Sequence, residues 1–355
     1  MSRKQNTDST TGSSPLKNTE TPRKSAANLE DIAKAAGVSK MTVSRVLRDG
    51  TGFSAETRAK VMREVERLDY LPNRLAAAFG PGGTSTLIGI CVPRFTSVLF
   101  ATVLESANAA FARLGYQCMI GSHDQLPAEE ELWLRGLASW RPAGVVLAGR
   151  HHTPGTLTLL REMTVPVVEI WDLTTRPVDL SVGFSHFDTG FEMANYVLSR
   201  GRRQIGYVGA LAGRETMGLA RADGFQAALA AGGVALAAKE VLLDHPGFYA
   251  GFYGTETLLG RAPKLDAIYY HDDEMAIGGL AFCQSRNIRV PEDIGIAGWG
   301  GMEAASILPR RLTTTMVPAA RLGKIAAEAL VSRLRGDPVP EVTVVSTRLV
   351  PGATM

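Results

Sequence analysis

The stretch Leu29–Leu47 reads LEDIAKAAGVSKMTVSRVL, two short helices and the turn between them. Leu29, Ile32, Ala33 and Ala36 recur at helical spacing, and Asn28 stands where an N-cap belongs. Gly37 ends that helix in the manner of a left-handed C-terminal residue. Ser39 can cap a second helix, Lys40–Leu47, whose Val43, Val46 and Leu47 form one apolar face. The opposite face presents Lys40, Met41, Thr42, Ser44 and Arg45. Two helices joined by a tight glycine turn make a helix-turn-helix, and a polar face of this width fits the major groove of DNA. Arg45 carries the two-pronged guanidinium that suits guanine O6 and N7, while Ser39 and Ser44 suit phosphates or base edges. Lys40 and Met41 lie at the helix start, which reaches deepest into the groove. Ser54 caps a third helix, with Val61, Val65 and Leu68 turned inward.

The rest of the chain is too long to be this module alone. It has 355 residues, 45% hydrophobic and 21% charged, a balance that buries large cores in two or more domains. The net charge of +3 is nearly neutral and by itself speaks against a nucleic-acid partner, but it is unevenly spread. Residues 27–80 hold nine basic and seven acidic side chains, and residues 1–26 hold five and two. Residues 1–80 therefore carry +5 and the remainder −2, which is the distribution a DNA reader needs. Residues 1–26 have almost no large aliphatic side chains and read as a disordered tail, either a loose phosphate contact or a passive leader. Cys91, Cys118 and Cys283 are far apart and match neither a metal spacing nor a disulfide framework. No apolar run approaches the roughly 18 residues of a membrane span, and the N-terminus lacks the apolar core of a signal peptide, so a cytoplasmic protein with no membrane partner is expected.

From about residue 86 the pattern changes to apolar runs separated by helical stretches. The runs are Leu87–Val92, Gln117–Ile120, Gly144–Leu147, Pro166–Ile170, Gln204–Val208, Glu240–Leu243, Ala267–Tyr270 and Gly295–Ala297. Continuous apolar runs between helices mean parallel strands covered on both faces. There are too many for one small sheet. The expected fold class is a small all-α helix-turn-helix domain followed by an α/β core of two doubly wound parallel-sheet subdomains, with a ligand crevice at the strand ends.

Past the third helix the chain reads YLPNRLAAAF over Tyr70–Phe79. This linker and the helix-turn-helix together resemble the lactose/galactose-repressor family of bacterial transcription factors, and the similarity runs on to about residue 350. The resemblance implies a headpiece over 27–72, a hinge helix and linker over 73–85, and a periplasmic-binding-protein-like core over 86–355. It divides that core into an N-subdomain of about 86–185 and 318–341 and a C-subdomain of about 186–317 and 342–355. It also implies that Ala76 and Phe79 enter the minor groove while Asn73 and Arg74 hold the backbone or groove edge. Phe79 departs from the family's usual leucine. The expected DNA partner is a palindromic operator bound by a homodimer, since no C-terminal heptad tail is visible.

In the core, residues after strands are the ones that reach a ligand. Arg94 and Ser97 follow the first run, and Arg150 and His152 follow the third. Arg221 and Asp272 match positions that grip sugar hydroxyls in the family. Neutral-sugar binders of the family show a Gly-aromatic-Asp pattern where this chain has Gly298, Trp299, Gly300 and Gly301. Losing that acid beside Arg94, Arg150 and His152 favours an anionic ligand. The stretches around Arg150–Pro154, Pro166–Glu169 and Val182–Phe184 resemble the gluconate-utilisation repressor branch, which adds Glu169 to the effector set and points to gluconate, a ketogluconate or a phosphorylated sugar acid. Trp171 and Trp299 have two readings, stacking on a sugar face or packing the core. The run His271–Glu274 has metal-ligand residue types but no second cluster, and Asp272 already has a sugar-binding reading, so no metal is assigned.

Three function classes compete. A sugar-acid enzyme would need a nucleotide-binding Gly-rich turn, a phosphate loop or a nucleophile elbow; none is present and no cofactor is implied. An exported solute-binding protein would need a signal peptide. A ligand-controlled DNA-binding repressor accounts for both halves of the chain. Whether its ligand induces or corepresses, and whether that ligand is a neutral sugar instead, stays open at this point.

Overall fold

The computed structural model describes residues 27–47, 51–71, 85–124, 126–210, 216–243 and 247–355. The expected tail, 1–26, and the hinge residues Asn73, Arg74, Ala76 and Phe79 lie outside them. The described residues fall into two compact units, one holding 27–71 and the other 85–355.

The smaller unit is three helices, α1 (Leu29–Ala36), α2 (Lys40–Leu47) and α3 (Ala55–Arg67). Its termini are set by local chemistry. The Asn28 side chain accepts from the Glu30 and Asp31 amides while Asp31 reaches back to the Asn28 amide, a reciprocal capping box. Gly37 closes α1 at φ +66°, a conformation that costs a residue with a Cβ. Ser39 Oγ accepts from the Thr42 amide at 3.1 Å, and Ser54 Oγ accepts from Thr57 in the same way. The core is Ile32, Ala33, Val43, Val46 and Val61, with Val65 and Leu68 packed against it.

In the larger unit, β1 (Leu87–Val92), α4 (Val98–Arg113), β2 (Gln117–Ser122), α5 (Pro127–Ala138), β3 (Gly144–Ala148), α6 (Pro154–Met163), β4 (Val167–Asp172) and β5 (Leu180–Phe184) build the first subdomain. The chain then runs through α7 (His186–Ser199), β6 (Ile205–Ala210), α8 (Thr216–Ala231), β7 (Ala238–Leu242) and α9 (Phe248–Arg261). It continues through β8 (Ala267–Tyr270), α10 (Asp273–Ser285), β9 (Gly295–Ala297), α11 (Glu303–Ile307) and β10 (Thr314–Met316). Finally α12 (Ala319–Arg335) and β11 (Val342–Val344) return to the first subdomain, and β12 (Arg348–Val350) pairs antiparallel with β10. The two main sheets are parallel throughout, in the orders β11-β5-β4-β3-β1-β2 and β7-β6-β8-β9. Their inner strands, β3, β4, β5, β6 and β8, are buried at every residue, as helices on both faces require. The edge strands β2 and β7 are half-exposed and carry Gln117, Lys239 and Glu240.

One boundary differs from the expected division. β11 lies on the first sheet, paired with β5, so the last crossing falls after Val344 and not at 341. Strands β5, β10, β11 and β12 have no counterpart among the apolar runs. Ser181 and Gly183 interrupt β5, and the other three have only three residues each, too few to show a period.

Helices α7 and α8 cross so closely that each needs a glycine. A Cβ at Gly190 would fall 2.0 Å from the Arg221 carbonyl oxygen, and one at Gly224 would fall 2.0 Å from that of Phe187. Neither backbone can yield without separating the helices. Gly190→Ala is therefore expected to cost about 1–3 kcal/mol of stability by overpacking, read as a lower urea midpoint. Gly136→Ala is the contrast: this helical glycine is exposed with nothing within 4 Å of its Cβ position. There the substitution should stabilise by about 0.5–1 kcal/mol through reduced chain entropy.

Candidate functional site

The α2 surface divides as an amphipathic helix should, with one change from expectation. Lys40, Met41 and Arg45 are exposed, Met41 to 65%, and Ser39 is exposed at the helix start. Thr42 and Ser44 are half-buried, and Thr42 Oγ1 lies 2.9 Å from Ser39 Oγ inside the cap. A protruding unbranched Met beside two cations, on a helix whose other face is pinned by Val43 and Val46, is a surface shaped to enter a groove.

In the core unit a cavity of about 90 Å³ lies at the carboxyl ends of the strands. Pro93, Arg94, Ser97, Leu99 and Phe100 line it from the exit of β1, and Trp171 lines it from β4. Met217 and Arg221 come from α8, His271 and Asp272 from the exit of β8, and Trp299 from the exit of β9. Five of the eight expected effector residues are thus brought together: Arg94, Ser97, Arg221, Asp272 and Trp299. A larger cavity of about 380 Å³, lined by Leu280, Cys283, Ile288, Leu308 and neighbours, lies away from these strand ends.

Arg221 is the centre of the cavity wall. It is 3% exposed, and its guanidinium carbon sits 3.9 Å over the Trp299 ring. Nη1 donates to His186 Nδ1 at 2.9 Å, and Nη2 donates to the His271 carbonyl oxygen at 3.0 Å. Because Arg can only donate, Nδ1 of His186 is the acceptor and the imidazole is neutral with its proton on Nε2. Burial, then the charges of Arg221 and of His271, hold the His186 pKa well below its usual value, in agreement. No carboxylate of the described residues lies within ion-pair distance of Arg221. A buried cation held only by neutral acceptors and a ring face attracts an anion. Nothing in the sequence marks His186 and His271 as Arg221 partners, because Ser181 and Gly183 interrupt the β5 pattern before His186 and His271 opens an acidic run.

The polar groups around it are prearranged. Asp272 caps α10, accepting from the Met275 amide at 2.8 Å. Ser97 occupies the N-cap position of α4 without capping through its hydroxyl. Arg94 donates to Thr96 Oγ1 at 3.0 Å. The aromatic wall is continuous: Trp171 meets Phe100 at 4.6 Å and Trp299 at 6.1 Å between centroids. Trp171 has φ +84°, which for a bulky residue costs about 1–3 kcal/mol and persists only where its surroundings enforce it.

Arg150, His152 and Glu169 are not among the lining residues. Arg150 pairs with Asp172 (Nε to Oδ2, 2.9 Å) at the cavity's flank. His152 and Glu169 are closed off in a network with Glu130, so direct contact between either side chain and a ligand in this cavity has no support in the geometry. His152 does follow β3 but turns back toward α5, and Glu169, which the resemblance to the gluconate-utilisation branch adds to the effector set, lies inside β4 and faces the same network.

Asp273, next in chain to Asp272, turns inward instead. It is buried, and its carboxylate accepts from Thr314 Oγ1 at 2.6 Å and from the Gly301 and Met302 amides at 2.7 and 2.8 Å. These bonds fix the turn that presents Trp299. Among the described residues no cluster of His, Cys, Asp and Glu could hold a metal ion.

Residues 28–73 match the family described as bacterial regulatory proteins, lacI family, and residues 194–355 match the periplasmic binding protein-like domain. The transcriptional regulator GntR of Escherichia coli K12 is 33% identical over 92% of this chain and 98% of its own. The chain belongs to the LacI family. The regulator IdnR of the same organism is 31% identical, over 87% of this chain and 92% of its own, and both relatives agree with the gluconate-utilisation branch. The crystal structure of a LacI family transcriptional regulator from Silicibacter pomeroyi covers 92% of this chain and 99% of its own at 34% identity, with a TM-score of 0.85. Members of this family are DNA-binding transcriptional regulators that respond to small molecules, not enzymes. No helix among the described residues is long and apolar enough to cross a membrane.

The Asp273 contacts give this LacI-family core a defined pH response. Burial raises the Asp273 pKa to about 6, against the hydrogen bonds that lower it. The folded protein thus holds that proton more tightly than the unfolded chain. The group's contribution to stability is full below about pH 4 and is withdrawn as pH rises through 6. Asn at this position keeps one oxygen to accept from the Gly301 and Met302 amides, and its NH2 can donate to a Thr314 hydroxyl turned to accept, as the protonated carboxyl would, without the charge. Stability of Asp273→Asn relative to the parent should rise by up to about 3 kcal/mol between pH 4 and 7, measured as paired urea midpoints across pH.

Proposed function

We propose that this protein is a repressor whose affinity for a palindromic operator is set by a sugar acid, such as gluconate, a ketogluconate or a phosphorylated sugar acid. The single observation that carries the ligand class is the Arg221 guanidinium, buried with no described carboxylate beside it. A ligand carboxylate or phosphate would supply the missing charge. Asp272 and Ser97 would take hydroxyls, and the Trp299 and Trp171 faces suit the C–H side of a sugar chain. Gly300, at φ +129°, stands where an acid would repel such a ligand. The cavity is small against the roughly 300–1,000 Å³ of drug-sized ligand sites, so entry requires the subdomains to part. That coupling between ligand and subdomain angle is what an allosteric switch needs, and such couplings are typically worth about 1–3 kcal/mol.

On the DNA side, Ser39, Lys40, Met41, Thr42, Ser44 and Arg45 read the major groove. Asn73, Arg74, Ala76 and Phe79 act as the hinge that reaches the minor groove. Two copies supply two recognition helices, and the protein works in the cytoplasm. The domain limits follow: a headpiece over 27–72, a linker over 73–85 and an effector core over 86–355.

Fluorescence anisotropy on operator DNA should show affinity falling by about tenfold as gluconate is added. A response to neutral sugars but to no sugar acid would sink the ligand class; tighter binding with a sugar acid would make it a corepressor. Arg45→Ala should lose about 1–3 kcal/mol of specific operator affinity while leaving gluconate calorimetry unchanged. Arg221→Ala should do the reverse, losing about 2–5 kcal/mol of gluconate affinity with operator binding intact.

A further inference from the structure

We infer that His152 is a positioning residue for the effector cavity: clamped between Glu130 and Glu169, it holds the β4 backbone that carries Trp171 into the cavity wall. For its binding readout this rests on the sugar-acid reading; for its structural readout it does not.

The argument starts from the Trp171 backbone. Strand β4 does not adopt φ +84° at an indole unaided; something on each side must enforce it. Opposite Trp171 in the β5 register stands Gly183, where a Cβ would fall 2.7 Å from the Trp171 carbonyl oxygen. Room for the distortion is therefore built into β5. The clamps come from the loop after β3. Arg150 pairs with Asp172, the residue just after Trp171. His152 pairs with Glu169, two residues before it, at 3.4 Å from Nε2, an ion-pair contact longer than an aligned hydrogen bond. The loop is itself anchored, because His152 Nδ1 lies 2.6 Å from Glu130 Oε1 on α5 and Thr153 donates to Glu131. Glu169 also accepts from the Val178 amide at 2.5 Å, which ties in the approach to β5. So the two ion pairs bracket Trp171, and its ring contacts the Trp299 on which Arg221 lies.

A purely stabilising role accounts poorly for this cluster. Glu130 and Glu169 are each 2% exposed, and two buried carboxylates share one imidazolium. Buried charge networks of this kind are commonly no more stable than apolar packing; what they add is a defined geometry. Burial alone would lower the His152 pKa, but the two carboxylates outweigh it and raise it to about 9. The cation is thus present at neutral pH, and the clamp loosens as pH rises through about 9. The other titratable groups facing the cluster are His123 after β2, His151 beside it, and Cys91 of β1 facing Glu130. Burial pushes the Cys91 thiol far up and holds both of these histidines below their usual value, so none of the three titrates near pH 9.

The test uses the full-length protein labelled with fluorotryptophan, with the Trp171 fluorine resonance assigned by Trp171→Phe. His152→Gln without ligand should shift the Trp171 resonance while leaving exposed Trp140 in place, and should weaken gluconate binding by about tenfold. In the parent, the Trp171 resonance and gluconate affinity should change together through about pH 9, and His152→Gln should lack that step. An unmoved Trp171 resonance in the variant, or a parent resonance flat across that pH range, overturns the proposal. If His152→Gln does not fold, the parent pH series decides. If gluconate does not bind the parent at all, the ligand reading fails, and the resonance shifts alone decide the role of His152.

Discussion

A guanidinium buried over an indole, with no described carboxylate at ion-pair distance, is the interaction on which the rest of the core depends. Burying an ion costs several kcal/mol even after the protein relaxes. Arg221 recovers part of that through the His186 ring nitrogen, the His271 carbonyl and the Trp299 face. None of these supplies a full negative charge. Each comes from a different element, so the arginine keeps its place only while the β5, β8 and β9 exits keep theirs. The Asp273 carboxylate fixes the turn behind Trp299, and the tight α7–α8 crossing fixes the helix that carries Arg221. The cavity is a consequence of how that one cation is held.

The two subdomains are joined by three chain passages, after β5, after β10 and after β11. Three connections permit a hinge rotation and resist sliding or separation. The α12 helix packs against α4 in the first subdomain and lies between two of these passages. Any molecule that bridged the Ser97 side and the Asp272 side would therefore act on the angle between the subdomains.

Local features were readable from the sequence because their causes are local. Asn28, Gly37, Ser39 and Ser54 each act within three or four residues, and all four ends form as their side chains dictate. The long apolar strands were readable because burial on both faces leaves no alternative composition. Arg221, Asp272 and Trp299 were legible through the family resemblance, and the structure brings all three to the cavity. What escaped was set by distance. Glu130 reads as an ordinary acid in the first turn of a helix, and only the fold brings it to His152, 22 residues away. Trp171, just past an apolar run, leaves sugar stacking and core packing equally open, and its left-handed backbone leaves no mark on composition. The three-residue strands carry no period, so the position of the last crossing had no signal.

The paired glycines at the α7–α8 crossing have a further consequence for how this binding site can diversify. Gly190 stands against the backbone carbonyl of Arg221 itself. Any side chain there would move the cation without touching the cavity. Residues that line the cavity, such as Ser97, Met217 and Leu99, can change one at a time and leave the cation where it is. Over evolutionary time the shape of the cavity is therefore free to drift around a fixed positive charge. Removing that charge would have to begin at Arg221 and then repack the helix contact that Gly190 makes possible.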